Sequence, residues 1–560
     1  MANIISRECK FVLYPPYTAK LNQDVHFIKE VITYDDGEVK LNLRILKDFE
    51  RPFWITKKIY QNYKQKKESE SIDRLDMFKS TQSNLHKAIA ARLGSKYIGC
   101  KSMRDVIDSP YLYGTDVSTK AIIKKLYQTK YPNANTLDTI AILDIETDID
   151  TDELVIISVA TYEEVFIGIL NKIVKNIRDV EKQLQYIFNK YIPKTDITSK
   201  IQPIFKFYNT EIELLQGVLE MIHNYKKDFV AIWNIDYDIP FLIKVCKRNN
   251  VDPKDVFSHP CIPKELRYFE YKEGSKLKVT ESGVHKPIRP EEQWHVVYTP
   301  SYSYWIDAMS LYSFIRQGEK KIPGGYSLNN ILEKELNKDL KKLKFENEVD
   351  TNLVGIDWHK YMLKYKPLEY IIYNAWDTMS ILELDNRTKD LAVSIRALAE
   401  VSAYDIFNSG PKQTIDSLHF FYLSNNRVLA TKGRTIDDDN LLGLANWIVM
   451  LETDYIEQKY TDVIEEGNFF LHNVNLNTLD YDSVSSYPSC IEAANVSKDT
   501  TVTEVLDIKG IPKDVFMLQN INYTFGNVNA ADYCRTMLNY PTLDELLNSI
   551  LKKEKNKNEN

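Results

Sequence analysis

Residues 140–148 read IAILDIETD, an apolar run that breaks into three acids. Ile140, Ala141, Ile142 and Leu143 have the character of a buried strand, and Asp144 and Glu146 follow at a spacing of two, which on a strand sets both carboxylates on one face. Two neighbouring anions at the end of a buried strand repel each other and resist desolvation. A cation is needed to hold them there, and a divalent metal is the simplest candidate. The plainer alternative is a strand running out into an acidic surface turn, with Asp148, Asp150, Asp152 and Glu153 as its solvated continuation. For an isolated DxE the plainer reading usually wins, so the case for a metal depends on what else the chain supplies.

The chain has 560 residues and a formal charge of −7, a length that suits about three or four domains by the usual size range. Its composition is that of a soluble globular protein. No apolar run approaches transmembrane length, and the opening MANIISRECK is too polar for a secretory signal, so the expected location is the cytoplasm, with no membrane partner. The cysteines, Cys9, Cys100, Cys246, Cys261, Cys490 and Cys534, form no CxxC pair and no close Cys/His cluster, which argues against structural zinc and against a disulfide framework. Negative net charge does not favour nucleic acid, although a long acidic chain can still carry a basic groove. Tyrosine is abundant together with Lys, Asn and Ile, a pattern of codon bias rather than of stacking platforms.

Before the acids, Val25–Thr33 and Val39–Ile45 read as strands and Leu85–Leu93 as a helix. Lys57–Lys67, KKIYQNYKQKK, is basic with interleaved tyrosines and could contact phosphates, but such a run is more often a solvated helix face. After the acids, Leu154–Leu170 alternates as the two strands of a hairpin, and Val174–Tyr191 has helical periodicity. A second informative stretch is Val230–Asn249, VAIWNIDYDIPFLIKVCKRN. There the strand Val230–Trp233 meets a polar turn, and Pro240 is expected to start a helix whose apolar stripe is Ile239, Leu242, Ile243 and Val245. Asp238 falls where that helix would have its N-cap. A third stretch, Leu368–Arg387, LEYIIYNAWDTMSILELDNR, is helical, and Tyr373 and Asp377 share a face at i and i+4. The lysine-rich stretch Leu336–Lys344 reads as a solvated helix.

In this order, DxE on a strand, Asn-x-x-Tyr-Asp before a helix and Tyr-x-x-x-Asp on a helix resemble the motif set of 3′-to-5′ exonucleases with the ribonuclease H-like fold. The chain resembles the family B DNA polymerases, in particular the replicative polymerases of tailed bacteriophages. TEIELL at Thr210–Leu215, WIDAMSLY at Trp305–Tyr312 and GYSLNNIL at Gly325–Leu332 extend the likeness, with YLYG at Tyr111–Gly114 as a weaker echo. The resemblance implies an α/β chain: a ribonuclease H-like exonuclease domain at 138–389, an α+β N-terminal domain at 1–137 with a return segment at 390–470, and a partial polymerase palm at 471–560. Hydrolysing a phosphodiester needs an activated water, in-line geometry and charge compensation on the leaving 3′ oxygen, which two divalent ions about 3.5–4 Å apart supply. Carboxylates are the hard ligands that Mg²⁺ or Mn²⁺ prefer. By the resemblance, Asp144 would bridge two such ions, Glu146 and Asp377 would hold the one that activates water, and Asp238 would reach the other through water. Tyr373 would orient the attacking water and Asn234 would help position the terminal nucleotide. Only Ile235 and Asp236 separate Asn234 from Tyr237, the short end of the family's range, which leaves Asp236 as the alternative to Asp238. Leu266–Val297, with strand-like LRYFEY, a Gly-bearing turn at Glu273–Ser275 and a return at Trp294–Val297, looks like the exonuclease β-hairpin of related phage polymerases; an ordinary surface insertion is the alternative.

Leu479–Ser489, LDYDSVSSYPS, followed by CIEAANVS, resembles the first polymerase motif of family B, usually DxxSLYPS. By that resemblance Asp482 would be a ligand for both polymerase metals, assisted by the Ser483 carbonyl, while Ser485 and nearby backbone N–H groups would hold the triphosphate. Tyr487 would exclude a 2′-hydroxyl, and Ser486 stands where the family has a leucine beside the nucleotide. The Tyr-x-Gly-Gly-type linker, the finger motif with Lys and Asn-Ser-x-Tyr-Gly, and the Asp-Thr-Asp palm hairpin are not found before the charged ending KKEKNKNEN. The expected function is therefore the N-terminal subunit of a split replicative DNA polymerase. It would carry proofreading exonuclease activity with two Mg²⁺ or Mn²⁺ ions, and would gain two polymerase ions, and synthesis from dNTPs, only with a second chain bearing fingers, the rest of the palm and the thumb. Primer-template DNA, single-stranded 3′ ends, a sliding clamp and other replisome proteins are the implied partners. A stand-alone exonuclease with a vestigial palm, and a non-catalytic nucleic-acid-binding replisome scaffold, are the alternatives.

Overall fold

The structure, a computed structural model, describes residues 3–15, 23–64, 66–97, 99–279, 284–319, 322, 324–336, 340–345, 349 and 353–433, with short pieces at 489, 492–493, 524–525 and 528–529. Asp482, Ser483, Ser485, Ser486 and Tyr487 lie outside the described residues, with most of the segment expected to open a palm.

The chain starts with β1 (Ile4–Leu13), β2 (Val25–Tyr34), β3 (Val39–Lys47), β4 (Glu50–Thr56), β5 (Ser69–Ser71), β6 (Leu75–Thr81), α1 (Leu85–Leu93), β7 (Leu112–Tyr113) and α2 (Thr119–Lys130). The acidic stretch is β8 (Ile140–Asp148), followed by β9 (Glu153–Ala160), β10 (Glu164–Leu170), α3 (Val180–Tyr191), β11 (Gln202–Tyr208), α4 (Glu211–Tyr225), β12 (Phe229–Ile232), α5 (Ile235–Arg248) and α6 (Pro253–Phe257). Then come the short strands β13 (Glu270–Lys272), β14 (Leu277–Val279), β15 (His285–Pro287) and β16 (Val296–Tyr298). After them lie β17 (Tyr304–Asp307), α7 (Ala308–Ile315), α8 (Leu328–Glu335), α9 (Gly355–Tyr365) and α10 (Pro367–Thr388).

The chain divides into two compact units. One holds residues 1–51, 79–85 and 116–420, and its centre is a six-stranded mixed sheet in the order β11-β10-β9-β8-β12-β17. β8, β9 and β10 are antiparallel neighbours, whereas β12 and β17 continue parallel to β8, so this unit is α/β with a mixed sheet. Strands buried on both faces read as continuous apolar runs, and Ile140–Leu143 and Phe229–Ile232 are buried throughout. α4 begins at a capping box formed by Thr210 and Glu213 and lies close on the sheet at Gly168. A Cβ at Gly168 would meet Leu214 Cδ1 at 2.5 Å. The other unit, 52–78, 86–115 and 421–560, holds the paired strands β4 and β7 and a cluster of Trp54, Leu75, Tyr113 and Val428. Here Arg427–Leu429 pairs with β5. Gly114 has φ +71°, and a Cβ there would meet the Trp54 ring at 2.6 Å.

The change of sequence pattern at residue 137 is not an edge of packing, because residues 1–51 and 116–137 lie in the same unit as the central sheet. Phe11, Leu13, Val25 and Phe27 join its apolar core. Buried ion pairs reinforce the join: Lys10 Nζ is 2.8 Å from Asp138 Oδ1, and Lys29 Nζ is 2.8 Å from Asp228 Oδ1.

Three local expectations change. The helix expected from Val174 starts at Val180, after a 3₁₀ turn at Asn171–Ile173 and a left-handed Asp179 at φ 47°. Lys57–Lys67 is not a helix face: a short 3₁₀ turn covers Lys58–Tyr60, and Lys66 is buried and donates to the Thr431 carbonyl at 2.8 Å. The described residues 341–344 of the lysine-rich stretch are irregular rather than helical. Between Leu266 and Val297 the chain makes two small antiparallel ladders, β13 with β16 and β14 with β15. Among the described residues no helix is long and apolar enough to cross a membrane, and Cys9, Cys100, Cys246 and Cys261 are free.

Candidate metal centre

The carboxyl ends of β8, β12 and β17 lie side by side, the position where open α/β sheets expose loops and helix starts to ligands. β8 delivers Asp144 and Glu146 there. Its register with β9 shifts between Glu146 and Thr147, a bulge just where the acidic side chains must be aimed. From the end of β12 the chain enters α5 at Asn234, so the helix begins before Pro240 and encloses it; Asp238 is a helical residue rather than the N-cap. Pro240 stands sixth in α5, past the first-turn N–H groups that have no helical partner, so the helix forgoes one hydrogen bond there, to the Asp236 carbonyl. The start of α5 is fixed by Asp307 at the end of β17, whose carboxylate accepts from Ile235 N at 3.1 Å and from Ser310 N, in the first turn of α7, at 2.8 Å.

α10 packs against β8 and β9 and is buried from Leu368 to Asp385 apart from Glu369. Its residues Tyr370, Tyr373, Asn374 and Asp377 recur at i, i+3, i+4 and i+7, one stripe, and that stripe meets the acids of β8. Carboxylate oxygens of Asp144, Glu146 and Asp377 all lie within 4.8 Å of one another. Asn374 Nδ2 donates to Asp144 Oδ2 at 2.6 Å, and the Tyr370 hydroxyl donates to Glu146 Oε2. Lys342 Nζ donates to Asp377 Oδ2 at 2.6 Å and to the Tyr373 hydroxyl at 3.0 Å.

Burial, then the charges of Asp238, Asp377 and Glu146, push the Asp144 carboxyl well above its ordinary value. Burial and the charge of Glu146 do the same to Asp238, whose carboxylate also accepts from the Ile145 N–H. Burial raises Asp377 too, against the opposing pull of Lys342. Burial alone would lower the Lys342 ammonium, but Asp377, Asp144 and Glu146 outweigh it and hold the lysine above its ordinary value. Among the described residues, this cluster of buried anions has one ammonium, Lys342, against it and is short of positive charge. The chain matches no protein-family model and no curated protein. The fit to a metal therefore rests on the donors themselves. They are all carboxylate oxygens, the hard donors of Mg²⁺ and Mn²⁺, and Asp377 Oδ1 is buried with no hydrogen-bond partner. The acidic triad could hold a divalent ion.

Of the residues singled out by sequence, Asp144, Glu146, Asp377 and Tyr373 converge, and Asp238 shares their electrostatic field without belonging to the 4.8 Å group. Asp236 points elsewhere: it accepts from the Tyr271 hydroxyl at 2.7 Å and lies 3.4 Å from Lys276 Nζ. Asn234 is exposed at the N-cap of α5 and makes no side-chain capping bond. Lys342, Tyr370 and Asn374 were not legible as site residues. Tyr370 and Asn374 could have been found from their spacing on the Tyr373–Asp377 face, whereas nothing local marks Lys342 among its neighbouring lysines.

Proposed function

We propose that this chain is a metal-dependent 3′-to-5′ exonuclease acting on DNA ends, built on a ribonuclease H-like domain. We propose further that its LDYDSVSSYPS segment contributes to DNA synthesis with a second chain, as in a split family B DNA polymerase. The observation that carries the exonuclease reading is the convergence of Asp144, Glu146 and Asp377 oxygens within 4.8 Å at the carboxyl end of the sheet, with the Tyr373 hydroxyl beside them. Two divalent ions would supply an activated water and compensate charge on the leaving 3′ oxygen. Asp144, Glu146 and Asp377 would hold them, with Asp238 the further carboxylate beside them. The Tyr373 hydroxyl, beside Asp377, would orient the attacking water. Exposed Asn234 is open to the terminal nucleotide, and Lys342 supplies positive charge beside the phosphate.

The test is release of mononucleotides from 3′-labelled single-stranded DNA by the full chain. Release that stops with chelator and returns with Mg²⁺ or Mn²⁺ supports the reading; a chelator-insensitive rate, or none under any condition, removes it. The polymerase half is tested by primer extension in an Asp144→Ala background with this chain, with a candidate second chain, and with both. Synthesis by the pair alone supports the split enzyme. No synthesis from an authentic pair favours an exonuclease with a vestigial palm.

A further inference from the structure

Glu146 has a contact that metal binding does not explain. Its Oε2 accepts from the buried Tyr370 hydroxyl, and that hydroxyl lies 2.8 Å from His359 Nδ1 on α9. The one hydrogen of the phenol goes to Glu146, which leaves the Tyr370 oxygen to accept from His359 Nδ1–H. The ring of Tyr370 is confined between Trp358 and Tyr373, at centroid distances of 6.1 and 6.0 Å, so the hydroxyl has little freedom to leave.

We propose that Tyr370 and His359 are positioning residues for Glu146, on the reading of Asp144, Glu146 and Asp377 as metal ligands. Tyr370 occupies Oε2, so that Oε1 is the oxygen Glu146 presents to the ion, and His359 holds the Tyr370 hydroxyl in that orientation. Ligating carboxylates are commonly oriented by such hydrogen bonds, and losing the partner weakens metal binding. A single presented oxygen also favours the compact octahedral shell of Mg²⁺ or Mn²⁺ over Ca²⁺, which takes more oxygens and accepts bidentate carboxylates. The pair therefore sets which ion the site takes as well as how tightly.

Calorimetric titration of the full chain with Mn²⁺ and with Ca²⁺ tests this, with circular dichroism melts as the check on folding. Tyr370→Phe is expected to weaken Mn²⁺ binding about tenfold and to weaken Ca²⁺ binding less, since the freed Oε2 allows bidentate capture. The Mn²⁺ midpoint of nuclease activity should move with the affinity. His359→Ala should shift Mn²⁺ affinity in the same direction, His359→Asn, which keeps a donor, should restore it, and the Tyr370→Phe/His359→Ala double variant should bind no worse than Tyr370→Phe alone. Unchanged Mn²⁺ affinity or an unchanged Mn²⁺/Ca²⁺ ratio in Tyr370→Phe overturns the proposal, as does an additive double variant. If Tyr370→Phe does not fold, equal affinities of His359→Ala and His359→Asn overturn it. A wild-type chain that binds no Mn²⁺ removes the metal reading itself, a different failure.

Discussion

Among the described residues, Lys342 supplies the ammonium that opposes the raised values of Asp144 and Asp377. It occupies Asp377 Oδ2 at 2.6 Å and places its positive charge beside Oδ1, the oxygen of Asp377 left without a partner for an ion. Lys342→Met therefore leaves Asp377 without its counter-charge and removes a competitor for the ion. The side chain is still partly open to water, so the loss in chelator should be modest, about 1–3 kcal/mol. Denaturant unfolding with chelator and with Mg²⁺ checks this: the stabilisation given by Mg²⁺ should be larger in Lys342→Met than in wild type. Tyr373 and Asp377 separate two further roles. Tyr373→Phe removes a hydroxyl but no charge, so it should slow cleavage while Mn²⁺ affinity stays near wild type, whereas Asp377→Ala should weaken both. Equal effects on metal binding would remove the distinction. The carboxylates were legible in sequence because DxE and Tyr-x-x-x-Asp are local patterns whose face follows from strand and helix geometry. Lys342 was not, because its partners Tyr373 and Asp377 lie 31 and 35 residues away.

At the level of elements, Asp307 ties the starts of α5 and α7 together, and so sets where Asp238 stands relative to β8. Burial raises its carboxyl from 3.8 to about 7. The folded value lies above the unfolded one, so between these two pH values the folded protein holds a proton that the unfolded chain has released. Stability is therefore greatest below this window and falls as pH rises through it. Asn is an equally good N-cap acceptor and does not titrate. Asp307→Asn should flatten the fall in urea midpoint between pH 4 and pH 7, and parallel curves for the two proteins would refute the assignment. Strand and helix cores were readable: Leu85–Leu93 forms as expected, Leu154–Leu170 folds into β9 and β10, and Leu368–Arg387 lies within α10. Starts were harder. Pro240 reads as a first-turn residue because its φ suits one, yet the capping of Ile235 N by Asp307, 72 residues away, starts α5 earlier. No local sequence signal carries that contact.

Across the whole molecule, the unit that contains the acids also takes in residues 1–51 and 116–137, a join that periodicity could not reveal because it runs through ion pairs between distant segments. Lys29 is fully buried and faces Asp228, which also accepts from Thr139 N at 2.8 Å. Asp228→Ala strands that buried ammonium and should cost about 3–5 kcal/mol, read as a lowered urea midpoint; an unchanged midpoint would mean the join is held by apolar packing alone. The central claim is that Asp144, Glu146 and Asp377 together hold the ions for removal of nucleotides from a 3′ end. The most direct measurement is a time course on 5′-labelled single-stranded DNA with Mg²⁺, comparing wild type with Asp144→Ala of equal melting temperature. Products shortened stepwise from the 3′ end by wild type, with nearly complete loss in Asp144→Ala, are the expected result. Equal rates for the two proteins, or cleavage that starts inside the strand, would contradict it.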